Sequence, residues 1–169
     1  MIVACGFDHA GLVLRERLLA VIAQEGHEVL DLGAQLPEED DYPDRALDVG
    51  RAVAEGRAQR GILVCGSGAG VSIAACKIDG VRAATIHDTY TAHQGVEHDA
   101  VNVLCLGGRV VGVEVAAEIV TAFLRARVSD EERHVRRRAK VQEIERTRGD
   151  GTGGARGRGA GGSAGPRGG

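Results

Sequence analysis

The chain has 169 residues, a length that suits one domain with a sizeable core, and its formal net charge is -3. That charge gives no global attraction to nucleic acid or anionic membranes, and a 2% share of aromatic residues excludes nucleic-acid platforms of stacked rings. Because it shows no signal peptide, no apolar stretch of about 18 residues and no C-x-x-C pair, we predict a reduced cytoplasmic protein with neither nucleic acid nor membrane as partner.

Short apolar segments alternate with segments of helical periodicity along the chain. The apolar segments predict strands at residues 2–7, 28–32, 61–65, 81–86 and 102–106. The first predicted helix has Asp8 as its N-cap and ends at about residue 25. Further helices are predicted over 46–57, from a glycine turn to about 77, and over 88–98, 113–127 and 129–146. A polar loop is predicted at 34–45. This alternation predicts an α/β fold: a three-layer αβα sandwich around a five-stranded parallel sheet, Rossmann- or flavodoxin-like, with an extra C-terminal helix.

The end of the chain differs in composition from the rest. Residues 149–169 are rich in glycine, with scattered arginine, serine and alanine. Such a segment buries too little apolar surface to offset the entropy lost on ordering. We therefore predict a folded domain over 1–148 and a disordered tail over 149–169. An RGG-like nucleic-acid role for the tail is the weaker alternative, because the tail has no aromatic residue.

The chain is organised around the segment Cys65-Gly66-Ser67-Gly68-Ala69-Gly70, which follows the third predicted strand and precedes an alanine-rich helix. Its three glycines permit backbone angles closed to other residues and close approach of a ligand. The N–H groups and dipole of the following helix favour negative charge, and a thiolate is stabilised in such surroundings. An anion-binding turn beside an ionisable thiol predicts chemistry on an anionic substrate.

Reactive and polar residues stand at the ends of several predicted strands. Asp8 and His9 follow the first strand, Cys65 ends the third, and His87 and Arg109 follow the fourth and fifth. Ligands of parallel sheets bind outside the carboxyl ends of the strands, so we expect a single site there. A plainer interpretation stays open, in which Cys65 is a buried core residue and Asp8-His9 a helix cap beside a surface histidine.

Cofactor and metal sites are not predicted. The glycine turn departs from a dinucleotide fingerprint because Val71 stands where the third glycine belongs and the turn follows the third strand, although Asp88 lies at a suitable distance. The histidines His87, His93 and His98 have spacings that match no zinc pattern.

A basic cluster occupies residues 133–140 near the end of the predicted domain. Arg133 and Arg137 are four residues apart and share one helix face, and such a guanidinium pair suits a phosphate group. A solvated helix face is the default interpretation of such a run, and the overall charge disfavours a nucleic-acid patch.

Taken together, these motifs resemble the type B ribose-5-phosphate isomerase family, which includes galactose-6- and allose-6-phosphate isomerases. The resemblance is collinear over residues 1–148. It rests on Gly6-Phe7-Asp8-His9-Ala10-Gly11, Asp41-Tyr42-Pro43, the glycine segment from Cys65 to Ala75, Lys77 to Arg82, Asn102-Val103-Leu104, Gly108 to Gly112, and Arg133-His134 with Arg137.

The resemblance implies isomerisation of an aldose phosphate to its ketose through a cis-enediolate, without metal or cofactor. It implies that Cys65 is the base, that Ser67 assists proton movement between substrate oxygens, and that Asp8 and His98 open the sugar ring. For the enediolate, the resemblance implies the backbone N–H groups of Gly66, Gly68 and Gly70 together with Asn102. For the phosphate it implies His9, Arg109, Arg133 and Arg137, with His134 as a further candidate. Tyr42 is implied to line the site. One branch of the family uses a glutamate shortly after the turn instead of the cysteine. Ser72 and Ile73 offer no such acid here, which favours the cysteine base.

The resemblance also implies a homodimer or homotetramer in which each site is completed by the neighbouring subunit. The substrate that it favours is ribose 5-phosphate, interconverted with ribulose 5-phosphate. Two alternatives stay open: the same chemistry on a hexose 6-phosphate, and a non-catalytic module that binds a phosphosugar or nucleotide.

Overall fold

The computed structural model describes residues 1–33 and 41–149. The elements in this part of the chain follow the order β1 (Ile2–Phe7), α1 (Leu12–Gln24), β2 (Glu28–Asp31), α2 (Tyr42–Ala54), β3 (Arg60–Cys65), α3 (Ala69–Ala75), β4 (Ala83–Thr85), α4 (Thr89–Asp99), β5 (Val103–Gly107), α5 (Val113–Arg125) and α6 (Glu132–Gly149). Across the described ranges, no helix combines the length and the apolar character that a membrane crossing requires.

The strands form one parallel sheet in the order β2-β1-β3-β5-β4. Helices α1, α4 and α5 cover one face, and α2 and α3 cover the other. The predicted three-layer αβα fold and its additional C-terminal helix are therefore confirmed. Since the chain winds outward from β1 in both directions, the neighbouring ends of β1 and β3 form the crevice in which such sheets bind ligands.

Aliphatic side chains fill the core on both faces of the sheet. Leu14, Leu18 and Ile22 recur at helical spacing on α1 and are fully buried, and burial of each such side chain contributes about 1.5–3 kcal/mol to stability. Burial also raises the pKa of the Cys5 and Cys105 thiols, so these two cysteines are neutral core residues.

The structure corrects several predicted boundaries; α2 ends at Ala54 rather than at residue 57, and α6 begins at Glu132 rather than at residue 129. Helix α2 begins at Tyr42 rather than at residue 46, because Pro43 in its first turn suits a helix start and Asp44 places negative charge near the N-terminal N–H groups. Residues 41–45 are thus not all loop, while 34–40 lie outside the described residues. Strand β4 is confined to Ala83–Thr85, shorter than the apolar segment 81–86.

Asp8 is not the N-cap of α1, contrary to the prediction. The N-cap of α1 is Gly11, so no side chain caps this helix. The carboxylate oxygen Oδ1 of Asp8 instead accepts the N–H groups of Ala10 and Gly11, each at 2.9 Å. Asp8 therefore stabilises the loop between β1 and α1 rather than the helix end.

Helix α6 lies outside the three layers and packs against α4. The Arg138 guanidinium donates to the carbonyl oxygens of His98 (3.2 Å) and Ser129 (2.9 Å), and the Gly80 N–H donates to Glu145 Oε1 (2.8 Å). The predicted tail from 149 onward lies outside the described residues except for Gly149, so its disorder and the domain boundary stay predictions.

Candidate active site

Parallel pairing aligns the carboxyl ends of three strands. Phe7 of β1 lies beside Val64, and Cys65 of β3 lies beside Gly107 of β5. The Asp8 N–H then donates to the Val64 carbonyl at 3.1 Å, which places Asp8 next to Cys65. The sequence therefore brings the loops after β1, β3 and β5 together at the carboxyl-terminal end of the sheet.

A cleft of about 420 Å³ opens at this point. It is lined by Asp8, Tyr42, Cys65, Gly66, Ser67, Gly70, Arg109 and Val110. These residues come from the loops after β1, β3 and β5, the last residue of β3, the first turn of α3 and the first residue of α2. Seven of them, all except Val110, are residues for which the sequence predicts a role in catalysis or substrate binding. The cleft therefore brings together most of the predicted set around the glycine turn.

Cys65 has a different environment from the core cysteines. Its side chain is 5% exposed and lines the cleft, and its sulfur accepts the Gly68 N–H at 3.1 Å. A backbone N–H aimed at sulfur stabilises the thiolate more than the thiol, because the charged acceptor forms the stronger hydrogen bond. This geometry equips Cys65 to exchange a proton with a molecule in the cleft.

The glycines of the turn serve different purposes, although the sequence suggested the same purpose for all three. Gly68 has a φ of 80°, in the left-handed region that favours glycine, and so turns its N–H toward Cys65. Gly70 lies under the Tyr42 ring: a Cβ there would stand 2.8 Å from the ring atom Cε2. The hydroxyl of Ser67 accepts the Ala69 N–H at 3.4 Å, at the start of α3.

Arg109 brings a positive charge to the cleft. The Gly108 N–H donates to the Cys65 carbonyl at 2.8 Å, and the Arg109 N–H donates to the Gly66 carbonyl at 3.1 Å, which joins the β5 turn to the glycine turn. No carboxylate in the described ranges lies within ion-pair distance of the exposed Arg109 guanidinium. An exposed cation without a counter-ion at a cleft is suited to a phosphate group.

Several predicted site residues do not line this cleft in the single chain. His98 lies on α4 and makes an edge contact with the buried His134, their ring centroids 3.9 Å apart. Arg133 pairs with Glu131 at 2.8 Å, and Arg137 lines a separate groove of about 710 Å³ between α6 and the β4 edge of the sheet.

Asn102 is engaged before β5. Its amide oxygen accepts the Arg82 N–H at 2.7 Å, and its amide nitrogen donates to the Gly80 carbonyl at 2.9 Å. Both polar ends of this side chain therefore join the segments that precede β4 and β5. His9 is exposed on the loop after Asp8.

Two residues of β4 and its extension contact the cleft loops: sequence reasoning missed Thr85, and it placed His87 among the strand-end residues of the expected site without a hydrogen-bond partner. The Thr85 hydroxyl donates to the Gly68 carbonyl at 3.0 Å, and His87 Nε2 accepts the Gly107 N–H at 3.0 Å. The position of His87 after the fourth strand was the available signal, but it carried no information on a hydrogen-bond partner.

Asp88 has a local explanation that needs no nucleotide. It is the N-cap of α4, and its Oδ1 accepts the Thr91 N–H at 2.6 Å. This backbone hydrogen bond lowers the pKa of the Asp88 carboxyl. Over residues 1–33 and 41–149, no three His, Cys, Asp or Glu side chains converge as metal ligands would.

The sequence of residues 3–141 matches the Ribose/Galactose Isomerase family. The chain belongs to this family. The family resemblance predicted from the motifs is thereby confirmed, and so is the prediction of an enzyme of the sugar-phosphate isomerase class.

Individual relatives support the same assignment. Ribose-5-phosphate isomerase B of Escherichia coli (strain K12) is 42% identical over 146 residues, which cover 86% of this chain and 97% of that protein. D-erythrulose-4-phosphate isomerase of Pectobacterium atrosepticum is 40% identical over 125 residues, 73% of this chain and 82% of the relative. The type B ribose 5-phosphate isomerase structure from Trypanosoma cruzi superposes with a TM-score of 0.83 at 42% identity, covering 87% of this chain and 99% of that one.

Proposed function

We propose that this isomerase interconverts ribose 5-phosphate and ribulose 5-phosphate through a cis-enediolate, with Cys65 as the base. The observation that carries the proposal is the cleft itself: a nearly buried sulfur that accepts the Gly68 N–H, next to an arginine that forms no ion pair with the described residues. Proton abstraction beside a carbonyl needs a base within reach of the substrate, and a sulfur that lines the cleft and accepts a backbone N–H is placed for that role.

The proposed reaction moves two protons and leaves the molecular formula unchanged. The Cys65 thiolate removes the C2 proton of the open-chain aldose, the electron pair forms the C1–C2 double bond, and the C1 oxygen becomes negative. The thiol then returns its proton to C1, while the Ser67 hydroxyl relays a proton from the C2 oxygen to the C1 oxygen. Backbone N–H groups of residues 66–70 stabilise the oxygen charge as an oxyanion hole does, which supplies about 3–4 kcal/mol for each well-placed donor.

Ring opening precedes this step, because the sugar phosphate enters as a furanose. We assign it to Asp8 with His98. The Asp8 carboxylate lines the cleft, and its Oδ1 is fixed by two N–H groups while Oδ2 makes no hydrogen bond within the described ranges. A fixed carboxylate with one oxygen available can accept the hydroxyl proton of the ring.

The phosphate is assigned to Arg109 and His9 beside the cleft and to Arg133 and Arg137 on α6. Since His98 and the α6 arginines do not line the cleft of their own chain, we propose that a neighbouring subunit of a homodimer or homotetramer supplies them. The exposed apolar side chains Val141 and Ile144 on the same helix support an α6 that is covered in an assembly. A cytoplasmic location and the lack of a cofactor stay predictions.

The base assignment is tested with Cys65→Ala and the closer isostere Cys65→Ser. We expect both variants to keep the wild-type melting temperature and to lose exchange of the substrate C2 proton with deuterated solvent, followed by proton NMR. Cys76→Ser is the matched control, since it changes an exposed thiol outside the cleft and should leave exchange intact. Substantial exchange in a folded Cys65→Ala protein would remove Cys65 from the role of base.

A second substrate class has a specific observation in its favour, the 40% identity to a D-erythrulose-4-phosphate isomerase. The same cleft chemistry on a tetrose phosphate, or on allose or galactose 6-phosphate, would need only a different pocket length. Rates on ribose 5-phosphate, erythrulose 4-phosphate and the two hexose 6-phosphates, measured with a chelator present, decide among them. Preference for ribose 5-phosphate supports the proposal, and lack of activity on all four substrates favours a non-catalytic binding module.

A further inference from the structure

Strand β4 is an edge strand of the sheet, and its carboxyl end lies beside the cleft without lining the cleft. Thr85 is its last residue, and His87 follows two positions later, so the extended chain presents both side chains on the same side. Among the described residues each of the two side chains makes one hydrogen bond, and the two bonds go to different loops of the cleft.

Thr85 supports the loop that carries the thiol. Its hydroxyl donates to the Gly68 carbonyl at 3.0 Å, and the N–H of the same glycine donates to the Cys65 sulfur at 3.1 Å. The fit is tight, since a Cβ on Gly68 would lie 3.0 Å from both Thr85 Cγ2 and the carbonyl carbon of Leu106. Thr85 therefore holds the residue whose left-handed backbone aims an N–H at the thiol.

His87 supports the turn that carries the arginine. Its Nε2 accepts the Gly107 N–H at 3.0 Å, which requires a neutral ring with its proton on Nδ1. The Gly107 carbonyl in turn accepts the Val110 N–H at 2.9 Å, so Arg109 lies inside a turn whose first residue His87 fixes. Loss of this bond would leave the Gly107 N–H without that acceptor and would loosen the turn.

We propose that Thr85 and His87 are positioning residues with separable effects: Thr85 acts on proton transfer through Gly68 and Cys65, and His87 acts on phosphate binding through Gly107 and Arg109. The inference rests on the proposed function. A purely structural role of the β4 end would give a different pattern, because both side chains would then affect folding stability and change both kinetic constants together.

The kinetic experiment compares Thr85→Val, His87→Leu and His87→Gln with the wild type on ribose 5-phosphate. One hydrogen bond in each case corresponds to about a threefold to tenfold effect. We expect Thr85→Val to lower kcat by that factor at unchanged KM, and His87→Leu to raise KM by that factor at nearly unchanged kcat. His87→Gln, which keeps an acceptor, should recover most of the lost affinity.

Matched controls remove the same groups elsewhere. Thr121→Val deletes a hydroxyl that donates within α5 to the Ala117 carbonyl at 3.0 Å, and His93→Leu deletes an imidazole from α4 that faces Glu97. Both should leave kcat and KM at wild-type values. Equal changes of kcat and KM in Thr85→Val and His87→Leu, or no recovery in His87→Gln, would overturn the proposal.

Binding and NMR measurements separate this inference from the proposed function. Inorganic phosphate should bind threefold to tenfold more weakly to His87→Leu than to Thr85→Val by calorimetry, whether or not the protein isomerises a pentose phosphate. A scalar coupling between the Gly107 nitrogen and His87 Nε2 should be detectable in wild-type protein. Equal phosphate affinity of the two variants overturns the role of His87, whereas an inactive wild type with the expected affinity difference overturns only the proposed reaction.

Discussion

At the scale of single residues, environment rather than residue type distinguishes the cysteines. Cys5 and Cys105 are buried in the core, and burial raises the pKa of their thiols. Cys76 is exposed and donates to the Ala83 carbonyl at 3.2 Å. Cys65 alone among the four lines the cleft and accepts a backbone N–H, so the chemistry of the site follows from one strand end and one left-handed glycine.

Gly70→Ala tests whether the Tyr42 ring forms part of the substrate pocket. The backbone of Gly70 is ordinary helix, where alanine is favoured by about 1 kcal/mol, but the new Cβ would stand 2.8 Å from the ring. We expect the ring to move, KM to rise several-fold, and the melting temperature to fall little. The substitution should have no further effect on KM in a Tyr42→Ala background.

Gly112→Ala is the matched control, because it adds a methyl group where no atom lies within 4 Å. It should leave KM at the wild-type value. Equal rises in KM on adding Gly70→Ala to wild type and to Tyr42→Ala would show that the ring is not the cause.

At the scale of elements, the contact between α4 and α6 depends on a buried histidine. Burial, assisted by the nearby positive charges of His98 and Arg133, lowers the pKa of His134, against a smaller opposing effect of Glu131. In the unfolded chain the ring titrates near its ordinary value of about 6.5. Between the two values the unfolded state binds more protons, so this stabilisation is complete above about pH 6.5 and is lost progressively as pH falls from there to the lower pKa of the folded state.

We therefore expect the amides of α6 to exchange hydrogen faster at pH 5.5 than at pH 7.5, beyond the intrinsic effect of pH. His134→Phe keeps an aromatic ring against His98 and removes the titration, so its protection of α6 should change less between the two pH values. The measurement is amide hydrogen exchange followed by mass spectrometry. An identical pH dependence in the two proteins would assign the effect to another group.

The sequence predicts these elements well where periodicity is strong and less well where tertiary contacts decide. Apolar periodicity located every strand, because buried parallel strands read as apolar runs between turn residues. The start of α2 was missed because the acidic run before it suggested a loop, whereas Pro43 and Asp44 begin a helix. The strand-end rule predicted that Asp8, His9, Cys65, His87 and Arg109 would meet. Asp8, Cys65 and Arg109 line the cleft, and His87 supports one of its turns. No local pattern could predict the hydrogen-bond partners of Thr85 and His87.

At the scale of the whole molecule, the proposed machinery is divided between two surfaces of one chain. Asp8, Cys65 and Arg109 meet at the cleft, whereas Arg137 lies on α6 beside a separate groove. If one chain carried the complete site, Arg137 would be expected to line the same cleft as Cys65. The proposed homodimer would account for this division, because a two-fold axis can place α6 of one subunit against the cleft of the other.

Mixed dimers test this division directly. Consider a dimer of one Cys65→Ala chain and one Arg137→Ala chain with shared sites. One cleft would then combine both defects. The other cleft would keep Cys65 and receive an intact α6 from the neighbouring chain. We expect each homodimer to be nearly inactive at substrate concentrations below KM, and the mixed dimer, isolated with two affinity tags, to regain about half of the wild-type activity. A doubly tagged Cys65→Ala dimer controls for the tags and should stay inactive. If the mixed dimer also stays inactive although both tags are present, each chain completes its own site, and α6 has to reach the cleft by a movement within one chain.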